Sequence, residues 1–270
     1  MKKIDNYQFK LLHIVGKGAS STVYLGENTL TGENVAIKVI DLQQIKDEYT
    51  WSLISQEIYI MQKLNNKNIV RLIDVYQTQN NAYIVTELCQ GGDLIEYMKK
   101  NKNKISQKES LKIIENIIFG LEHLFMHGVI HRDLKPANIL ISENGNIFKI
   151  SDFGFARKIE NEDFLMKSLV GTPLYMSPQI LKRQNYTYKC DIWSLGIIFY
   201  QLIYGKTPWP SNSVIDLVNN MFQMPLLFPQ YGQNGDLIDE SVKEFIKGCL
   251  QFEENERFSW EDIMKIISFD

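Results

Sequence analysis

The sequence predicts an α+β chain in two lobes, a small antiparallel sheet with one helix followed by a larger, mainly helical part. Three observations carry this. Residues 8–40 and 69–86 alternate apolar and polar side chains with period two, as half-buried strands do. Beyond residue 93 apolar residues recur at helical spacing, and Gln90-Gly91-Gly92-Asp93 interrupts the pattern between the two regimes. At 270 residues the chain also exceeds the usual size of one domain, so each lobe should hold its own core.

Gln8-Phe9-Lys10-Leu11-Leu12, Thr22-Val23-Tyr24-Leu25-Gly26 and Asn34-Val35-Ala36-Ile37-Lys38-Val39-Ile40 read as the first three strands, the last two joined by a turn at Thr31-Gly32. Between the first two lies Gly16-Lys17-Gly18-Ala19-Ser20-Ser21, a glycine-rich turn inside a hairpin. A dinucleotide fold would instead need it at a strand-to-helix junction. Taken alone it reads equally well as a flexible hairpin turn. Residues 47–64 turn helical, with Ile54, Ile58, Met61 and Leu64 on one face and Glu57 beside it. Strands at 69–73 and 82–86 bring the count to five.

Residues 90–93 then read as the linker, leaving 1–89 as the small lobe and 94–270 as the large one. A short helix over 93–100 is followed by a long one over 106–127, with Ser106 as cap and Glu109 three residues on. The pattern breaks at Gly128. Ile139-Leu140-Ile141 and Phe148-Lys149-Ile150 form a hairpin through the turn residues at 143–146. Residues 155–178 show no sustained period, contain Gly171 and Pro173, and read as a long functional loop. Residues 191–204 are apolar nearly all round, the mark of a helix buried in a core. Amphipathic helices at 213–222, 239–249 and 259–267 finish the chain.

Composition excludes several classes. With 29 Lys plus Arg against 32 Asp plus Glu, a net charge of -3 gives no basic footprint for nucleic acid. No stretch reaches the ~18 apolar residues of a membrane span, and the N-terminus lacks a signal peptide's apolar core, so a cytoplasmic chain is expected. Cys89, Cys190 and Cys249 are odd in number and far apart, which argues against both a disulfide framework and a zinc site. Oligomeric state leaves no mark in the sequence.

The densest chemistry lies in His131-Arg132-Asp133-Leu134-Lys135-Pro136-Ala137-Asn138, an acid, two cations and an amide just before an apolar run. The hairpin that follows brings Asn138, entering its first strand, and Asp152, leaving its second, to the same open end, where two oxygen ligands suit Mg2+. An Asp and an Asn beside a hairpin are, taken alone, more often turn caps. Lys38 likewise reads either as a solvated strand end or as a cation returned beneath the glycine loop to meet phosphates. Glu57, flanked by Ile54, Ile58 and Met61, is placed to face inward and pair with it.

Taken in order, these pieces resemble a eukaryotic protein kinase across nearly the whole chain. The resemblance rests on Gly16-Lys17-Gly18 with Val23, Val35-Ala36-Ile37-Lys38, Glu57, His131-Arg132-Asp133 with Lys135 and Asn138, Asp152-Phe153-Gly154, Ser177-Pro178, Asp191 and Arg257. It implies the bilobal kinase fold, ATP and Mg2+ as cofactors, and protein substrates. ATP would be bound by Ile14, Gly16, Lys17, Gly18, Val23, Ala36, Lys38, Thr86, Glu87, Cys89, Asp93, Leu140 and Asp152. In that scheme Lys38, fixed by Glu57, holds phosphates, and Asn138 and Asp152 hold the metal. Asp133 accepts the substrate's hydroxyl proton, Lys135 steadies the transferred phosphoryl, and Thr86 guards the back of the pocket. Ser168 would carry an activating phosphate facing Arg132, helped by Lys167 and Arg157, while Thr172 contacts Asp133 and Lys135.

Lys135 and Gly171-Thr172 are similar to the serine/threonine branch, and the segments 152–157 and 171–176 to the autophagy-initiating kinases, with calmodulin-dependent kinases second. Two departures stand out. Ser20-Ser21 replaces the usual loop-tip aromatic and glycine, and Gln179 stands where a Glu usually pairs with Arg257, which leads one to expect a weakly anchored 155–178 loop. A pseudokinase scaffold is the rival reading, and a metabolite kinase a third. Every position that phosphoryl transfer requires is filled, which favours the enzyme.

Overall fold

The computed structural model of the chain describes residues 1–18, 21–45, 47–142, 144–159 and 164–267. Its first part is one antiparallel sheet: β1 (Lys2–Ile4), β2 (Tyr7–Lys17), β3 (Ser21–Asn28) and β4 (Asn34–Asp41), then α1 (Glu48–Lys63), then β5 (Leu72–Gln77) and β6 (Asn81–Glu87). The spatial order is β1-β2-β3-β4-β6-β5. The sheet therefore has six strands, not five. β1 escaped sequence reading because it is three residues long and begins with two lysines; a tight turn with Asp5 at φ 46 folds it back onto β2.

The strand expected at 69–73 is also shifted, to Leu72–Gln77. Ile69 and Val70 are indeed buried, but against the other lobe. Val70 N–H donates to Ile150 O (2.9 Å) and Ile150 N–H to Asn68 O (2.8 Å). The ladder with β6 starts only at Leu72, opposite Thr86. Periodicity reports burial without saying which partner supplies it.

α1 starts at Asp47, whose carboxylate accepts from Thr50 N–H (2.7 Å) and satisfies one of the free donors of the first turn. Its buried side consists of Ile54, Glu57, Ile60, Met61 and Leu64, with Ile58 half-buried. The linker joins α2 (Leu94–Lys100), which Asp93 caps through Glu96 N–H (2.8 Å). Gly91 is required in it, since a Cβ there would come within 2.8 Å of Ile141 Cβ.

The large lobe is built around α3 (Gln107–Met126), the short β7 (Val129–Ile130), the hairpin β8 (Ile139–Ile141) and β9 (Phe148–Ile150), β10 (Arg157–Lys158), α4 (Pro178–Leu181) and α5 (Lys189–Tyr204). It is completed by α6 (Val214–Gln223), α7 (Glu240–Cys249) and α8 (Trp260–Ile267). α5 is the central rod: 14 of its 16 residues are buried, so nearly every apolar side chain contributes the ~1.5–3 kcal/mol of full burial. α3 and α7 pack against it. The 155–178 segment, expected to be structureless, is pinned at several places. Arg157 and Lys158 pair with Ile130 and Val129, Met166 bridges Tyr186, and Pro173–Tyr175 forms a single 3-10 turn. These partners lie 20 or more residues away, so no local period announces them.

Gln179 meets Arg257 through a charge-assisted hydrogen bond in place of an ion pair, and other acceptors surround the guanidinium. Arg257, 1% exposed, donates to Gln179 Oε1 (2.9 Å), to Gln251 O (3.0 and 3.1 Å) and to Lys189 O (3.1 Å), and lies 5.0 Å from the Trp193 ring. Gln179 in turn donates to Phe252 O (2.6 Å). Burial pulls the Arg257 pKa down to about 10, with Glu254 pulling the other way, so the cation survives at neutral pH. Backbone carbonyls do the work that a carboxylate would otherwise do. Gln179→Glu is therefore expected to shift the urea-unfolding free energy by less than about 1 kcal/mol, because the new charge pair loses the bond to Phe252 O. A gain above about 2 kcal/mol would show that the anchor is incomplete.

Candidate active site

The sheet fixes which side chains face the cleft. Val23 lies opposite Lys38, and Ala36 opposite Thr86. Directly paired residues and alternate residues of one strand share a face, so Val23, Ala36, Lys38 and Thr86 all project from one side of the sheet. The other side carries Phe9, Tyr24, Ile37 and Tyr83, which form a separate cluster. Gly16 pairs with Val23 and Lys17 with Thr22, and Gly18 N–H donates to Ser21 O (2.8 Å), so the glycine-rich stretch closes the β2–β3 hairpin. Ser20 lies outside the described residues. Ile14, 52% exposed, sits between two register shifts opposite Tyr24, so the ladder does not fix it beside Val23.

Lys38 reaches across the sheet face to α1, where Nζ donates to Glu57 Oε1 at 2.6 Å; the Glu57 side chain is 6% exposed. Burial pulls the Lys38 pKa down, but the Glu57 and Asp152 carboxylates outweigh it and the net direction is up. The ammonium is therefore charged at neutral pH, with a second carboxylate within electrostatic reach.

The linker supplies a polar edge. The backbone N–H and C=O of Cys89 take no backbone partner among the described residues, whereas Glu87 N–H is committed to Arg71 O (3.1 Å). The Glu87 carboxylate is held by Lys149 (2.9 Å) and Arg71 N–H (2.8 Å). Asp93 bridges Leu140, which sits half-buried on β8. Burial, with the Glu87 charge second, pushes the Cys89 thiol up to about 12. Since the thiolate is the nucleophile, iodoacetamide should label Cys89 in the native chain more than about 100-fold more slowly at pH 8 than in urea. Equal rates, read by peptide mass, would refute the shielding.

Below the cleft, the loop between β7 and β8 is set by Asp191 at the start of α5. Its buried carboxylate accepts from His131 N–H (2.7 Å) and Arg132 N–H (2.9 Å), which shapes a turn where Arg132 takes φ +66. Burial pushes the Asp191 pKa up and these hydrogen bonds oppose it. Its positioning role was not legible beforehand; an acid opening an otherwise apolar helix was the available signal. His131 Nε2 meets Ser151 O at 3.0 Å, tying this loop to the residue before Asp152.

Asp133 is 4% exposed and collects three side-chain donors: Lys135 Nζ (2.6 Å), Thr172 Oγ1 (2.8 Å) and Asn138 Nδ2 (3.2 Å). Lys135 Nζ also donates to Thr172 Oγ1 (2.8 Å). A second bond, from Asn138 Nδ2 to Asp133 O (2.8 Å), turns the Asn138 amide oxygen away from Asp133. β8 and β9 pair with Ile139 opposite Ile150, and Ser151 N–H donates to Asn138 O (2.9 Å). Asn138 and Asp152 therefore share the open end of this hairpin. Asp152 is exposed and held at φ +63, which with Arg132 makes two non-glycine residues of positive φ at this site. One amide oxygen and one carboxylate form a hard donor pair that fits Mg2+.

A family model described as the protein kinase domain matches residues 9–267. The chain belongs to the protein kinase family. Its relatives are serine/threonine kinases: the serine/threonine-protein kinase atg1 of Dictyostelium discoideum is 36% identical over 97% of this chain and 39% of its own length. The serine/threonine-protein kinase TIO of Arabidopsis thaliana is 35% identical over 93% of this chain and 18% of its length. A probable myosin light chain kinase of Dictyostelium discoideum is 35% identical over 93% of this chain and 64% of its length. The kinase chain thus spans less than two thirds of each of these relatives.

In this kinase domain the 155–178 segment meets the 131–138 loop at three further points. Gly171, at φ +110, lies so close that a Cβ would come within 2.6 Å of Arg132 O, which puts Thr172 on Asp133. Arg132 Nη1 donates to Ser168 Oγ (2.8 Å) and Nε to Phe155 O (2.7 Å). Lys167 and Arg157 are exposed, and Arg157 lies 5.3 Å from the Phe164 ring. Tyr175 OH donates to Gln201 Oε1 (2.9 Å), and Leu174 beside it is 38% exposed.

Proposed function

We propose that this kinase domain transfers the terminal phosphoryl of ATP to serine or threonine hydroxyls of proteins, with Asp133 as the proton acceptor. The observation that carries the reading is the carboxylate of Asp133, buried and oriented by Lys135, Thr172 and Asn138. Phosphoryl transfer asks a protein for positioning and charge neutralisation more than for covalent help. The acceptor hydroxyl gives its proton to Asp133 as its oxygen bonds to phosphorus, and the bridging P–O bond breaks with its electrons leaving on ADP. Lys135 meets the charge of the transferred group, and Lys38 that of the phosphates that stay behind. Asn138 and Asp152 would hold Mg2+, which offsets charge on the phosphate oxygens. Adenine lies against Val23, Ala36 and Leu140, with the backbone of Cys89 as its polar edge. Ser168 is the proposed site of an activating phosphate, received by Arg132.

A cytoplasmic setting belongs to the same proposal, supported by three cysteines that remain unbridged. Transfer of radiolabel from ATP to a generic acceptor protein tests the phosphoryl transfer. A fold that bound ATP without transferring label would be the scaffold instead.

Substrate choice follows from charge. By the family resemblance, Ala137, Gln201 and Asp93 stand where kinases that require upstream arginines place acidic receptors; here Ala137 and Gln201 are uncharged, Gln201 is occupied by Tyr175, and the Asp93 carboxylate caps α2. Selection should rest on an apolar residue near the target, read around Leu174, with weak dependence on upstream arginines. A peptide array with a dominant arginine requirement would overturn that.

A further inference from the structure

The hydroxyl of Ser168 is already engaged without any phosphate. Arg132 Nη1 donates to it at 2.8 Å, and it lies 3.0 Å from the phenol oxygen of Tyr186. That phenol also donates to Ser168 O at 3.0 Å. A phenol has one proton. With that proton on the carbonyl, the Ser168 hydroxyl gives its own proton to the phenol oxygen while accepting from Arg132, and every oxygen of Ser168 is used. Tyr186 is rigid enough to hold this arrangement. Its side chain is 0% exposed, and its backbone exchanges two 2.9 Å bonds with Met166, two residues before Ser168. Four residues beyond Ser168, Thr172 donates to Asp133. The chain from Tyr186 to the carboxylate is therefore continuous.

Building on the kinase reading above, we propose that Tyr186 is a positioning residue that holds the activation segment through Ser168 in the unphosphorylated chain. Thr172 thereby reaches Asp133, and phosphoryl transfer runs before Ser168 carries a phosphate. The phosphate then replaces a neutral latch that already exists.

The test is a double-mutant cycle in phosphatase-treated protein, checked by intact mass, with Tyr186→Phe, Ser168→Ala and the pair. Wild type should be active. Each single change should raise KM for an acceptor peptide about three- to tenfold, the range of one net hydrogen bond, and leave KM for ATP within about twofold. The pair should fall short of the product of the two single effects, because both changes lose the hydroxyl–phenol bond, while only Tyr186→Phe loses the bond to Ser168 O and only Ser168→Ala the bond from Arg132. Tyr186→Phe equal to wild type would overturn the proposal, as would single effects that multiply, since the hydroxyl–phenol bond that both variants remove would then contribute nothing. Were Tyr186→Phe not to fold, slow hydrogen exchange at the Met166 and Tyr186 amides of the dephosphorylated wild type is the expected result, and exchange at unstructured-peptide rates the refuting one. A dephosphorylated wild type without activity beside an active Ser168-phosphorylated form sinks the latch but leaves the kinase reading intact. Inactivity of both forms sinks that reading too.

Discussion

Asp133→Asn is expected to lower kcat by about 10^2- to 10^4-fold, the usual contribution of a general base, while KM for ATP stays within about threefold. The substitution is nearly isosteric. The amide oxygen still accepts from Thr172, and the bonds from Asn138 Nδ2 to the carbonyl of residue 133 and from Arg132 N–H to the Asp191 carboxylate hold the loop in place. What disappears is the proton acceptor and the charge that Lys135 faces at 2.6 Å. Steady-state kinetics, with nucleotide binding measured separately, decides it: turnover within tenfold of wild type would mean that another group takes the proton.

Asp152→Asn should act through nucleotide rather than through the acceptor. One negative charge leaves the proposed metal pair and the surroundings of Lys38, whose pKa that carboxylate helps to raise. The Mg2+-dependent tightening of ATP binding should shrink to less than about twofold, and kcat/KM should fall about 10^2- to 10^3-fold, as expected where a metal supplies several kcal/mol. Titrating ATP with and without Mg2+ reads the first effect independently of catalysis. Unchanged metal dependence would move the metal site elsewhere.

The site was more legible in the sequence than the fold was. Asp133, Lys135, Asn138 and Asp152 lie within 20 residues of one another, and a single hairpin brings the last two together, so local reasoning sufficed. Lys38 and Glu57 were legible because an apolar strand and an apolar helix face each carried one charge. Ile69, by contrast, pairs with Ile150 rather than with β6, and Arg157 and Met166 find their partners on β7 and at Tyr186. Such pairings depend on the finished tertiary structure, and no pattern along the chain encodes them. Tyr186 was missed for the same reason: its phenol matters only because Ser168 returns to it across 18 residues.

The bonds at Gly91 and Val70 determine how the cleft can open. Gly91 N–H donates to Ile141 O, Ile141 N–H to Gly92 O, and Val70 N–H to Ile150 O, so both stretches of backbone that cross between lobes are fastened to the lower one. The bending points are left just upstream and downstream of those anchors, near Arg71 before β5 and near Leu88 to Gln90 after β6. Two pivots define an axle, and a body hung on an axle swings in a single plane. The sheet and α1 should rise and fall over the Asn138–Asp152 hairpin like a jaw, carrying Lys38 toward or away from Asp152 without twisting it sideways.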